Sequence, residues 1–452
     1  MSGRFTTVDY EATPAQTVRL GECLPPDHLA RFVVGVVTQL DFTTIYARYS
    51  ARGGMAYAPE VLFGLLVYGY ATGVFSTRKI ERATYEAAPF RYLAGNRHPD
   101  HDTLATFRKT FLPELHDLFV QVLLLAQATG VLQLGTISLD GTKIHADASK
   151  SKAISYKRLG ELEARLRAEV EELFALGARA DQGALPDGLV IADELARRQE
   201  RLARLAEAKA VLEARAHERD VAEQAAYAAK VREREDKVRR TGRPPRGRPP
   251  TPPTPGPRNA DQYNFTDPDS RIMKRSTDQG FDQPYNGQVA VEQASLLIVG
   301  HSLSNHANDQ AEVAPTVAAI PAALGTPAAA ALDAGYFGEP TIRAREARGS
   351  APYIATGREP HYQGWSAYFA AVPAPPPEGA SPKERMAYEL RTDVGKASYR
   401  LRKCTVEPVI GNIKEVLGFR QFSLRGLAAA AGEWGLVCLA WNLKRLHRLT
   451  LG

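Results

Sequence analysis

Eight of the 18 residues from Thr241 to Arg258, TGRPPRGRPPTPPTPGPR, are proline. Proline has no backbone N–H to give to a helix or a sheet, so no regular element can cross this stretch. A basic linker, extended or disordered, is expected over residues 241–262. The pattern differs on its two sides. Before it, Leu159, Leu162, Leu166, Val170 and Leu173, then Leu195, Leu202, Leu205 and Leu212, recur at helical spacing with Glu and Arg on the other faces. Residues 156–240 therefore read as an antiparallel coiled-coil hairpin whose tip holds Gly183, Pro186 and Gly188.

Strand patterns flank this insertion. Thr136 to Ala148 alternates imperfectly through Ile137, Leu139, Thr142 and Ile144. Tyr285–Glu292 and Leu296–Ser304 read as two strands around a short polar turn, and Ala329–Asp333 as another that Gly335 ends. After Thr356 comes a long stretch without strong periodicity, including Pro373 to Pro377, and the final 50 residues are helical.

Residues 1–130 carry helical patterns between polar and Gly/Pro punctuation, with Pro26-Asp27-His28 and Ala58-Pro59-Glu60 opening two apolar runs. Asp102 is expected to cap the helix holding Leu104, Phe107, Arg108 and Lys109. Arg78, Lys79, Arg108 and Lys109 would suit DNA phosphates, as in helix-turn-helix domains, or form the solvated basic surface of a plain bundle. Sequence pattern leaves both open. The expected division is 1–130 helical and, in the first of those readings, DNA-binding, 131–155 the first part of a β-rich core, 156–240 the insertion, 241–262 the linker and 263–452 the rest of that core with C-terminal helices.

At 452 residues the chain has room for two or three cores. A formal charge of +6 and a pI near 9.1 favour anionic partners mildly. Cys23, Cys404 and Cys438 are widely spaced, so neither a disulfide framework nor a zinc knuckle is expected and a reducing cytoplasm fits. No secretory signal or membrane span is expected: Phe119–Leu139 is broken by Gln and Gly, and Val313–Leu332 by three prolines.

Three acids stand out. Asp140 sits in an apolar strand beside Gly141, where β propensity disfavours it; the plain alternative is an Asp at a bulge or strand end satisfied by backbone N–H groups. A DxDGT phosphatase motif is excluded because Ser138 stands where its nucleophile would be. Asp333 ends a strand, where carboxylates of α/β sheets face the ligand crevice, yet Asp before Gly is also common in turns. Glu407 lies on a helix with Lys403 and Lys414 at helical spacing, a pattern that an ordinary surface ion-pair ladder also produces. Together the three could hold two hard divalent ions, Mg²⁺ or Mn²⁺, for phosphoryl transfer on DNA. Asp267 and Asp269 are expected in an Asx turn, Asp309 as a helix cap, His145, His301 and His306 as structural residues, and Trp434 and Trp441 as core.

The segments ISLDGTKIHADASKSKAISY, NFTDPDSRIMK, YNGQVAV, ALDAGYFGE, YIATGR, RKCTVEPVIGNIKEVLGFRQFSLRGL and GEWGLVCLAWNLKRL, with HPDHDTLATFRK upstream, resemble bacterial insertion-sequence DDE transposases, specifically the insertion sequence 1182-like branch. The resemblance covers much of the chain and implies an α/β fold: an RNase H-like mixed sheet flanked by helices, with an all-α N-terminal domain and the inserted hairpin. It implies Asp140, Asp333 and Glu407 as catalytic residues and ligands of two Mg²⁺ ions, Mn²⁺ being a substitute. The family's Tyr, Arg, Glu, Lys signature maps onto Tyr399, Lys403, Glu407 and Lys414, with Lys in the Arg place and Tyr399 offset by one; Arg402 is the other candidate for the guanidinium. DNA contacts would come from Arg402, Lys403, Lys414 and Arg420. The implied partners are duplex DNA, at terminal inverted repeats and target, and a second protomer in the DNA complex, in the cytoplasm and on the nucleoid when bound. A repurposed, inactive DNA-binding protein and a nuclease without strand transfer are the alternatives.

Overall fold

The computed structural model describes residues 19–49, 56–180, 190–243, 247–274, 280–338, 341–342, 349–357, 374–377 and 379–451. The expected hairpin tip at Gly183, Pro186 and Gly188, and Pro373, lie outside the described residues. The chain divides into two compact units, one of Met1–Ile144 with Asn286–Gly452 and one of His145–Tyr285.

The first unit opens with helices α1 (Leu29–Val37), α2 (Pro59–Ala71), α3 (Thr77–Glu86), α4 (His101–Thr110) and α5 (Leu112–Ala128). Local chemistry sets their starts. The ring Nδ1 of His28 accepts from the Ala30 N–H to cap α1, and Pro59 begins α2, where a missing N–H costs nothing. Asp100, not Asp102, caps α4: its carboxylate accepts from the Thr103 N–H at 2.7 Å, and Asp102 lies inside the first turn. α2 is apolar around nearly its whole circumference and is buried accordingly. No single helix among the described residues is long and apolar enough to cross a membrane; α4 and α5, apolar enough as a pair, bend by 77° at their junction.

The sheet has five strands, β1 (Thr136–His145), β2 (Pro284–Glu292), β3 (Ile298–Ser304), β4 (Ala329–Leu332) and β5 (Ala351–Ile354), in the order β3-β2-β1-β4-β5. β2 and β3 are antiparallel, while β1, β4 and β5 are parallel. Every residue of β2 is buried, as a central strand covered on both faces requires. Helices α6 (Asp393–Arg400), α7 (Arg402–Gly411) and α8 (Leu427–Thr450) follow. α8 packs against β3, α5 and α2. Its Trp434 and Trp441 are core residues, their indole N–H groups donating to the Gln288 and Leu296 carbonyls at 3.1 and 3.0 Å. Asn442, fully buried, serves both the N–H and the C=O of Ile298.

In the second unit, helices Tyr156–Ala180 and Ile191–Thr241 run antiparallel. Leu159, Leu166, Leu205, Ala208 and Leu212 form the seam, flanked by the pairs Lys209–Glu163 and Arg198–Glu169, each at 3.0 Å. The described part of the Pro-rich stretch has neither helix nor strand and is fastened along the longer helix, where Asp220 accepts from the Gly256 N–H and Arg258 pairs with Glu223. Asp267 makes the expected Asx turn with the Asp269 N–H and also accepts from the Tyr285 hydroxyl. His145 pairs with Asp282 at 2.9 Å.

Candidate active site

β1 and β4 pair in parallel register from Thr136↔Ala329 to Leu139↔Leu332. The next residue of each segment is an aspartate, so Asp140, midway along β1, and Asp333, just past the end of β4, lie beside each other. Asp140 Oδ1 accepts from the Gly141 N–H at 2.8 Å, and Asp333 caps a 3₁₀ turn through the Ala334 N–H at 2.7 Å.

α7 brings the third acid. Val406 and Val409 are fully buried, and Thr405 Oγ1 lies 2.8 Å from Ser138 Oγ, tying the helix to β1 two residues before Asp140. Arg402 and Glu407 therefore face the two aspartates. The Arg402 guanidinium lies 3.2 Å from Asp140, 3.8 Å from Asp333 and 3.5 Å from Glu407. Its side chain is 5% exposed, against 24% for Asp140 and about half for the other two acids. Burial pushes the Asp140 carboxyl up to about 6; Arg402 and the Gly141 N–H oppose that rise and Asp333 adds to it. For Arg402, burial works against the charged form but is outweighed by Asp140, Tyr399, Asp333 and Glu407, so its pKa is raised.

Three carboxylates around one guanidinium leave a formal surplus of negative charge. Among the described residues no three His, Cys, Asp or Glu side chains are close enough to share one metal ion, because these oxygens are gathered around Arg402 instead. The donors suit a hard divalent ion by type, being carboxylates with no sulfur or imidazole. The Nε of Arg402 has no hydrogen-bond partner, so the guanidinium is itself incompletely satisfied in this seat.

The other cations stand differently. Lys414 Nζ donates to Thr142 Oγ1 at 3.1 Å, two residues along β1 from Asp140. Lys403 is exposed, and Arg420 is exposed but paired with Glu415. The shared face expected of 403, 407 and 414 assumes an unbroken α-helix, whereas α7 contains Pro408 and gives way to a π turn at Asn412–Val416. The wider turn changes the direction of Lys414, a substitution of geometry that spacing alone does not reveal.

Behind Asp140 lies a polar network that the sequence reading misses. Gln288 on β2 accepts from the Tyr336 hydroxyl and donates to Asp309 at 2.8 Å, and Asn286 also donates to Asp309 at 2.8 Å. Asp309 is thus an acceptor for β2 and not the expected side-chain cap; the helix Val313–Ala318 starts after Glu312 without a side-chain cap. The signal available was YNGQVAV, with two amides alternating on a buried strand. His306 pairs with Glu312, and His301 is half-buried beside Phe119 and His116, its pKa lowered by burial to about 3.

In the helical region Arg78, Lys79 and Lys109 are exposed, but Arg108 is not available to DNA. Its guanidinium is buried against the Tyr70 hydroxyl at 2.6 Å and Glu433 at 3.6 Å. Glu433, 0% exposed, also accepts from the Ser423 and Leu424 N–H groups.

Two family models match the chain: a transposase domain (DUF772) over residues 18–110 and a transposase DDE domain over residues 377–447. The second span includes Arg402, Lys403, Glu407, Lys414 and Arg420, while Asp140 and Asp333 lie outside it. No curated protein and no solved structure matches.

Proposed function

We infer that this chain, an insertion-sequence DDE transposase, cleaves DNA at the ends of its element and joins the freed 3′ hydroxyl to target DNA, with Asp140, Asp333 and Glu407 as the acidic triad. The observation that carries this reading is the convergence of three carboxylates from distant segments on one guanidinium. The order β3-β2-β1-β4-β5, with β1, β4 and β5 parallel, supports an RNase H-like core. The motifs quoted above support the 1182-like branch.

The three acids would hold two divalent ions, Mg²⁺ in the cell and Mn²⁺ as a substitute. When bound, such a pair supplies activation of the attacking oxygen and neutralisation of the leaving one. The protein's own side chains do the rest. Arg402, buried among the acids, holds them together against their mutual repulsion, while Lys403, Lys414 and Arg420 meet phosphate oxygens of the DNA. Gly141 lets Gln288 lie against β1, which fixes the strand carrying Asp140.

In the same reading residues 1–130 bind DNA, 131–155 and 263–452 make the catalytic core, and 156–240 form a coiled coil that contributes to a homodimer pairing two element ends. The 241–262 linker joins insertion to core. The protein acts in the cytoplasm, on the nucleoid when bound. Incubation of the purified chain with Mg²⁺ and terminal-inverted-repeat duplex tests this. Joined products are expected; cleavage without joining would make it a nuclease, and binding alone an inactive DNA-binding protein. Full activity of Asp140→Asn or Glu407→Gln would remove the site assignment.

A further inference from the structure

Positive charge is not spread evenly along the chain. Residues 230–248 hold nine Lys and Arg against three Asp and Glu, a surplus equal to the formal net charge of +6 for the whole chain. The rest of the molecule is thus balanced. The hairpin itself tilts the other way, with 12 Lys and Arg against 15 Asp and Glu in residues 157–229.

The basic segment coincides with a change in packing. Buried residues of the long helix Ile191–Thr241 are Leu205, Ala208, Leu212 and Ala216. From His217 to Thr241 none is buried. With no buried side chain among the described residues of this distal helix, its polar surface needs another explanation than a core. Lys230, Arg232, Lys237, Arg239 and Arg240 on it, and Arg243 just past its end, are exposed. Beside it lies the Pro-rich segment, held by Arg234 donating to the Gly247 carbonyl at 3.0 Å. Between the two is a groove of about 480 Å³ that four cations line, Lys230, Arg234, Lys237 and Arg248, against two acids, Glu223 and Glu233.

We propose that Lys230–Arg243, with Arg248 across the groove, is a phosphate-binding strip for duplex DNA, additional to the contacts near the acidic triad. The choice of DNA as the polyanion rests on the transposase reading; the strip itself rests on charge and exposure. Solubility alone does not account for it, since acidic side chains serve that purpose better and are here the minority. At about 1.5 Å rise per residue the strip is about 20 Å long, and duplex DNA presents about one phosphate per 1.7 Å of axis. Lys230, Arg234 and Lys237, spaced by four and three residues, share the helix face beside the groove and can engage one backbone together with Arg248. Such contacts carry no base information, so the strip would hold flanking or target DNA of any sequence.

The test uses the full chain carrying Asp140→Asn, without divalent ions, on a random-sequence duplex across a salt series. Replacing Lys230, Lys237 and Arg248 by Gln should reduce the slope of log affinity against log salt by about 2.7, at roughly 0.9 per phosphate lost, and weaken binding at least about tenfold at 0.1 M salt. A version with Lys230→Arg, Lys237→Arg and Arg248→Lys should keep the parental slope. Conversely, Glu233→Gln with Glu235→Gln and Asp236→Asn should tighten binding, a gain that misfolding cannot produce. An unchanged slope in the Gln variant, no gain from removing the acids, or a change in sedimentation with no change in DNA affinity would each overturn the proposal. Because no cleavage is measured, failure here is separate from failure of the triad assignment.

Discussion

Arg402 occupies the place where negative charge is densest, and its side chain is nearly sealed from water. A cation at that point both steadies the acids and competes with any other cation for them. One unit charge about 4 Å away is worth up to about 4 kcal/mol at an effective dielectric of 20, a ceiling that the half-exposure of Asp333 and Glu407 lowers considerably. Arg402→Gln is therefore expected to bind Mn²⁺ roughly tenfold more tightly by calorimetry, about 1.4 kcal/mol. Weaker binding would show that the guanidinium supports the site without competing for it. Asp140 adds a pH dependence. Its carboxyl is raised from 3.8 to about 6, so the folded state favours the protonated form. Its contribution to stability is then present below pH 3.8 and lost as pH rises through about 6. Mn²⁺, which needs the ionised form, should bind more tightly over the same rise. The stability of the wild type relative to Asp140→Asn, followed between pH 4 and 7, should fall with pH; a flat difference would count against burial as the cause.

At the scale of elements, β1 and β2 are in unusually close contact. A Cβ on Gly141 would lie 2.1 Å from Gln288 Nε2, the amide that also reaches Asp309. Gly141→Ala should cost about 1–3 kcal/mol in urea unfolding, as overpacked sites do, and Gln288→Ala in the same chain should recover part of it. No recovery would mean that the strain lies elsewhere. The strands themselves were legible in sequence because their alternation is local: Asp140 and Asp333 fall where the patterns put them, one within β1 and one just after β4. The cap of α4 was misread by two residues, Asp100 and Asp102 being equally good by type. Asp309 looked like a cap for the same local reason, whereas its partners Asn286 and Gln288 come from another strand. The π turn after α7 was invisible because the helical period continues through it in the apolar residues.

Across the first unit, the buried contact of Arg108 and Tyr70 with Glu433 joins the helical region to α8. By sequence Arg108 reads as a surface cation, since a basic residue on a polar helix end gives no hint of an acid more than 300 positions away. Glu433→Ala would leave that guanidinium buried without its charge partner, and a loss of about 3–5 kcal/mol is expected in denaturant melts. A change under 1 kcal/mol would show the site to be wetter than its burial suggests. The insertion enters this unit differently. The chain leaves the sheet at the end of β1 and returns at the start of β2, its neighbour, and the Ala146 N–H donates to the Gln283 carbonyl across the gap at 2.9 Å. To the sheet, everything between those two residues is a hairpin turn. A longer or shorter insertion would keep the same two points of departure and return on the strands, so the DNA-holding strip proposed on it is separable in the chain from the strands that carry the acids.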